Sequence, residues 1–444
     1  MSLTRWVDSD KVRVQTQIPL PPAKSRRAGA WLAVLLAALG LGCGDAPQGG
    51  VPASAPIASV SPSLAPSATV AVPSTAVASP SVATTLEPSR SPTAPAALGA
   101  VPAASLPAKQ AAAFQAVLDG VIANKQAPGI AAAVVTDDGL WTGSAGLGQP
   151  VGDAALAPNA EFAIASITKT FVAALVLREV ERGHIELDAP AARYLPSELA
   201  AIANGATIRQ VLMHRSAIPE YFDPPFGKRV LADCTRTWTP KEAAALIPRP
   251  VLAPGAFSYS NSNYILLGMA LETTTGETLR QLMRGMLDPI GLTRVAFQPE
   301  ESPPGPLALP HIDADGDGNW DDVQATGLLP CRSFATIAWA AGGMAADAAS
   351  LVRWGWLLYG GSVLLAESLA EMTTIAGLER YGLGTQRFPV SGGAAYGHSG
   401  AIDGYRSLLI VPPAERVAVV VLVNGEQDSV ALVVAQRLVP GFAF

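Results

Sequence analysis

The segment Ala165-Ser166-Ile167-Thr168-Lys169-Thr170-Phe171, continued by Val172, Ala173, Ala174, Leu175, Val176 and Leu177, constrains the fold more than any other part of the chain. A run that is apolar on nearly every side reads as a helix without a solvent face, so a domain has to be built around it. Gly183, just past Glu181 and Arg182, is a natural stop. Within the run, Ser166 and Lys169 stand three apart and share one face. Ser166 falls in the first turn, where unpaired N–H groups and the positive end of the helix dipole favour developing negative charge. An amine beside a serine hydroxyl can activate a nucleophile that has no His–Asp pair. Taken alone, the serine reads first as an N-cap beside an unrelated lysine. A capping box, however, wants Glu or Gln where Lys169 stands.

The chain of 444 residues has room for two or three average domains, but its N-terminal part is not domain-like. A net charge of −6, with no basic run beyond the N-terminal region, argues against a nucleic-acid partner. Cysteines at 43, 234 and 331, with no C-x-x-C, make neither a disulfide framework nor a zinc site. Lys24, Arg26 and Arg27 precede the uncharged run 28–42, which has the make-up of an export signal and is short for a membrane span. The small residues before Cys43 resemble a bacterial lipoprotein processing site. Residues 1–43 therefore read as an export signal ending at a candidate lipidated cysteine, and 44–105, rich in Ala, Pro and Ser and free of aromatics, as a disordered tether. This arrangement implies a lipoprotein anchored in the periplasm or at the cell surface, or otherwise a secreted protein.

The third segment, 106–444, has the patterns of a folded domain. Phe114, Val117, Leu118 and Ile122 recur at helical spacing. Gly129–Val135 reads as a strand, turned at Asp137-Asp138-Gly139 into a second. Residues 405–411 and 417–423 make two more, followed by a helix over 429–438. The middle, 185–335, is mostly short helical patterns broken by Pro and Gly. This predicts an α+β fold: one antiparallel sheet built from both chain ends, flanked by helices, with a mostly helical inserted region.

Two further polar clusters accompany Ser166 and Lys169. Ser258-Tyr259-Ser260-Asn261 precedes the helical run at Tyr264, and Gly397-His398-Ser399-Gly400 precedes the strand at Tyr405. Each alone has a structural explanation, a helix cap or a core histidine. In order and in kind, the three clusters resemble the penicillin-recognising serine hydrolases: class C β-lactamases, serine D-alanyl-D-alanine carboxypeptidases and related esterases. The resemblance extends to Leu187–Pro190, Thr207–His214, Tyr259–Tyr264 and Ala340–Met344.

It implies the β-lactamase/DD-peptidase fold and an acyl-enzyme at Ser166. Lys169 is implied as proton acceptor or activator, and Tyr259 as a proton-transfer group with its pKa lowered by the lysine. Asn261 is implied as a partner of the substrate amide, and the N–H groups of Ser166 and Ala401, beside Gly400, as the oxyanion site. No role is assigned to His184, His214 or His311.

The third motif departs from the Lys-Thr-Gly usual in class C β-lactamases and is closer to carboxypeptidases and esterases. Anchoring a substrate carboxylate then falls to a protonated His398 or to Arg387. The expected activity is D-alanyl-D-alanine carboxypeptidase on cell-wall peptides. The alternatives are an esterase, a weak β-lactamase, or a catalytically poor penicillin-binding sensor. No catalytic cofactor is expected. Asp313, Asp315, Asp317, Asn319 and Asp321 alternate in the manner of a calcium loop and are candidate ligands for a structural calcium. A disulfide between Cys234 and Cys331 is allowed in an exported chain.

Overall fold

The computed structural model describes residues 94–313, 327–375, 377–390 and 393–440. The elements run α1 (Ala108–Ala123), β1 (Gly129–Thr136), β2 (Gly139–Gly146), β3 (Phe162–Ala163) and α2 (Thr168–Glu181). The middle follows as α3 (Ile208–Leu212), α4 (Pro224–Ala232), α5 (Pro240–Ala245), α6 (Asn261–Thr275), α7 (Leu279–Leu287), β4 (Ala296–Phe297), α8 (Arg332–Gly342) and β5 (Met344–Ala346). The chain closes with α9 (Ala348–Tyr359), α10 (Ala366–Thr373), β6 (Gln386–Val390), β7 (Gly393–Ile402), β8 (Tyr405–Val411), β9 (Val417–Val423) and α11 (Val430–Leu438).

The main sheet is antiparallel throughout, in the order β2-β1-β9-β8-β7-β6, so β1 from the front of the domain zips onto β9 from its end. Both faces of the central strands are covered, which is why β8 and β9 are apolar at almost every position instead of alternating. Ile130, Ala132, Val134, Val419 and Val421 pack towards Phe114 and Leu118 of α1 and Val434 of α11. The residues between them, Ala131, Ala133, Val420 and Leu422, face the larger core with α2 and α9. The fold is the expected α+β sheet from both chain ends with helices between.

Helix α2 runs through the larger core as its composition predicts, with eleven of its fourteen residues buried. Its buried threonines are bonded: the Thr170 hydroxyl donates to Ile167 O and accepts from Trp354 Nε1, and the Thr168 hydroxyl accepts from Met344 N. It ends at Glu181, with Gly183 at φ +76° just beyond.

The tether differs from its compositional reading at its C-terminal end. Leu98 is buried; Gly99 O accepts from Trp356 Nε1, and Ala97 O and Leu98 O accept from Arg416. Composition missed this because one leucine and three carbonyls suffice to dock an extended segment. Cys234 and Cys331 form a disulfide. The leader, Cys43 and the other four candidate calcium ligands (Asp315, Asp317, Asn319 and Asp321) lie outside the described residues; Asp313 is described at the loop's edge.

Candidate active site

Ser166 lies on a single 3-10 turn, Ala165–Ile167, between β3 and α2. Ala165 adopts φ +48°, a left-handed conformation that a non-glycine residue holds only when its surroundings impose it. Those surroundings are strand β7 and its neighbour β8. Ser407 Oγ donates to Ile164 O, and a Cβ on Gly400 would come within 2.4 Å of that same carbonyl. Gly400 is thus required for the close approach of β7 to the serine turn. This brings the third motif to the first.

Ser166 is half-buried, whereas Lys169 below it is fully enclosed. Lys169 Nζ lies 3.0 Å from Ser166 Oγ and donates at 2.7 Å to both Asn261 Oδ1 and Ala341 O. The Ala341 carbonyl lies just past a break in α8 at Trp339, whose φ is +34°, so it is free of the regular helical ladder and supplies a neutral acceptor. Burial pushes the amine down to about 7, against the attraction of Glu220. Tyr259, half-buried, donates its hydroxyl to Ser166 Oγ at 2.9 Å. Contrary to the expectation that the lysine lowers it, Tyr259 is held above the ordinary tyrosine range. Burial is the main cause; the Ser166 contact opposes it and Glu220 adds to it. Tyr259 is a phenol, not a phenolate.

Asn261 opens α6, and its backbone N–H donates to Glu220 Oε2 at 2.6 Å while its side chain is committed to Lys169. The Glu220 carboxyl, raised first by burial, also accepts from Phe222 N.

His398 overturns the carboxylate-anchoring expectation. It is buried, with Nε2 at 2.9 Å from Tyr381 Oη and Nδ1 at 2.6 Å from Ser399 O. Burial first, and Lys169 second, push it down to about 3, so it is neutral throughout the physiological range. Arg387 lies exposed on β6, with Tyr396 of β7 as its register partner, and no hydrogen bond or ion pair joins it to Ser166, Lys169, Tyr259 or His398 among the described contacts. Ala401 is on β7 one residue past Gly400 and is exposed.

Three residues of the site escaped the sequence reading. His214 sits in van der Waals contact with the Tyr259 ring, centroids 4.2 Å apart, and bonds to Tyr381. Glu220 holds Asn261. Tyr381 joins the two histidines. The signal for His214 was present, since it closes Thr207–His214, a segment noted for its resemblance; Tyr381 carried none.

A half-exposed serine hydroxyl, touched by a buried amine and a phenol in a fold of this kind, defines a serine hydrolase. The Beta-lactamase family model matches residues 114–439, and the chain belongs to that family. It is 29% identical to penicillin-binding protein 4 of Amycolatopsis lactamdurans over 70% of this chain and 84% of that one. With a D-aminopeptidase of Gluconobacter oxydans it shares 25% identity, covering 60% of this chain and 50% of the relative. A D-stereospecific amidohydrolase from Streptomyces sp. superposes with a TM-score of 0.62 at 29% identity, over 75% of this chain and 99% of that structure.

Proposed function

We propose that the protein hydrolyses amides, peptides or esters of D-amino acids through an acyl-enzyme on Ser166, with Lys169 as the base. The observation that carries this is the match of donors and acceptors around Lys169. A neutral amine has two N–H donors and one lone pair. Asn261 Oδ1 and Ala341 O, each at 2.7 Å, take the two donors, which leaves the lone pair for the Ser166 hydroxyl proton at 3.0 Å. An amine held down to about 7 is a base at neutral pH. Ser166 Oγ attacks the carbonyl carbon as its proton passes to Lys169. The oxyanion is assigned to the N–H groups of Ser166 and Ala401, a reading supported by the packing of β7 against the serine turn. The proton leaves with the amine or alcohol, relayed by the Tyr259 phenol, and water then deacylates the serine.

The D-configuration of the acyl donor rests on the D-aminopeptidase and D-stereospecific amidohydrolase among the relatives. A neutral His398 offers a substrate carboxylate no charge-assisted bond, which favours amides and esters over C-terminal dipeptides. Likeness to a penicillin-binding protein keeps D-alanyl-D-alanine carboxypeptidase as the second reading. The basic, apolar and small-residue leader supports export and anchoring through Cys43.

The test is a side-by-side turnover assay on D-alaninamide, a short-chain ester, a D-Ala-D-Ala peptide and a cephalosporin, with the L-alaninamide as stereochemical control. Intact-mass detection of the acyl adduct accompanies it. Amide and ester turnover with D-preference supports the proposal. Faster cleavage of the dipeptide selects the second reading, and an adduct that persists in Ser166→Ala removes the nucleophile assignment.

A further inference from the structure

His214, Tyr381 and His398 form a buried chain whose hydrogen-bond directions are set by its ends. At one end, the Ser260 N–H and Asn263 Nδ2 both lie 3.2 Å from His214 Nδ1. A backbone N–H can only donate, so Nδ1 is the acceptor and the imidazole proton sits on Nε2. His214 Nε2–H then donates to Tyr381 Oη at 3.2 Å. At the other end, Ser399 O can only accept, so His398 carries its proton on Nδ1, 2.6 Å away, and its Nε2 accepts. The Tyr381 hydroxyl therefore donates to His398 Nε2 at 2.9 Å. All three side chains are buried, and every link points the same way.

The two ends of the chain belong to the two halves of the site. Ser260 lies between Tyr259 and Asn261, and Ser399 between His398 and Gly400. The His214 ring also packs on the Tyr259 ring, and the Tyr381 ring meets Phe257, Tyr259, His214 and His398. We propose that His214 and Tyr381 are positioning residues that hold Tyr259 of the helical region and His398 of β7 in catalytic register, through a one-directional chain in which both imidazoles stay neutral in fixed tautomers.

A proton added to His398 Nε2 would turn the Tyr381 hydroxyl towards the Tyr264 hydroxyl, which also meets it, and leave its oxygen to accept from both imidazoles. The cost of such a proton is that of a charge in a buried site, which burial and the nearby Lys169 oppose. The ionisable groups facing the chain are Lys169, Tyr259, Tyr264 and Tyr359, none of them a carboxylate that would stabilise an imidazolium. The assignment depends on Ser166 chemistry only for its effect on rate, so its test has two arms.

The first arm needs no substrate. The chain has four histidines, so side-chain ¹⁵N spectra of the labelled full-length protein are simple to assign. The expected result is an Nε2–H tautomer for His214 and an Nδ1–H tautomer for His398, both unchanged from pH 7.5 to 5. The opposite tautomer at either residue, or protonation of either above pH 5, overturns the proposal. The second arm uses Tyr381→Phe, which keeps the ring contacts and removes the hydroxyl's bonds to His214, His398 and Tyr264. Acetylation of Ser166 by p-nitrophenyl acetate, which needs neither an amine nor a carboxylate subsite, should slow by roughly tenfold to a hundredfold with KM almost unchanged. Adding His214→Leu should then cost little more, since the chain is already cut. An unchanged acetylation rate in Tyr381→Phe, or losses that simply multiply, reduces the chain to core packing and overturns the proposal. If no acetylation occurs even in the parent protein, the hydrolase reading fails, while the spectra still decide the chain.

Discussion

Two buried ionic clusters lie at opposite ends of strand β3, and they differ in what they can do. Beyond its C-terminal end, Lys169 is enclosed with Ser166, Tyr259 and Asn261. Immediately before its N-terminal end, Glu161 meets Arg294, whose Nε contacts Asp347 at 2.5 Å and whose Nη2 contacts Glu161 at 2.8 Å. Among the described contacts Lys169 touches no carboxylate, and burial brings it within reach of its neutral form. Arg294 cannot lose its proton at any ordinary pH, and Asp347 holds it higher still. With one cation for two carboxylates, the more deeply buried one keeps its proton: Glu161 is pushed up to about 8, by burial first and by Asp347 second. Asp347 also N-caps α9, accepting from Ser350 N. An isolated buried amine is a base; a half-exposed guanidinium between buried carboxylates is a clamp.

The largest effect should come from turning the first cluster into the second. Lys169→Arg places a permanent cation under Ser166 and removes the lone pair, so acylation should fall by roughly three orders of magnitude or more, measured by ester turnover. A variant that kept a tenth of the parent rate would mean that Tyr259 is the base.

Next in size is the clamp. Arg294→Met leaves Asp347 buried and unpaired and should cost about 3 kcal/mol in denaturant unfolding. The turnover number of the folded fraction should be unaltered. A large drop in kcat at unchanged stability would show that the clamp reaches the serine turn through β3.

The pH dependence sharpens the contrast further. As pH rises through about 7 the Lys169 amine loses its proton, so kcat/KM should climb across that range on an ester substrate. Glu220 raises the lysine, so Glu220→Gln, which still accepts the Asn261 N–H, should move this limb to lower pH. An unmoved limb would exclude Glu220 as its electrostatic partner.

The smallest effects concern stability against pH. His398 is depressed from 6.5 to about 3, so the unfolded chain takes up a proton first as pH falls, and stability is lost progressively between those values. Glu161 has the opposite sign. Its carboxyl is raised from 4.5 to about 8, so its contribution is full below 4.5 and is lost as pH rises through 8. Melting curves from pH 4 to 9 should therefore pass through a maximum. In Glu161→Gln the alkaline decline should flatten while the acid decline persists.

Much of this molecule is legible in the chain itself. The apolar run through α2, the paired strands at both ends and the helices between them are set by local periodicity, because burial on one or both faces leaves a pattern within a dozen residues. Ser166, Lys169, Tyr259 and His398 are visible for the same reason, each standing in a short motif with fixed spacing.

Tertiary structure alone decided their protonation. Lys169 meets the Ala341 carbonyl across 172 residues, and His214 meets Tyr381 across 167. A pKa depends on which groups lie within a few ångströms and how much water is excluded, quantities that sequence separation does not encode. That is why His398, one of two candidates for holding a carboxylate when read as a motif, is a neutral link when read in place, and why Tyr259 moves up and not down. The Arg294 clamp, the docking of Leu98 and the role of Tyr381 were hidden on the same grounds: each comes from a residue ordinary in its own neighbourhood, given meaning by a partner far along the chain.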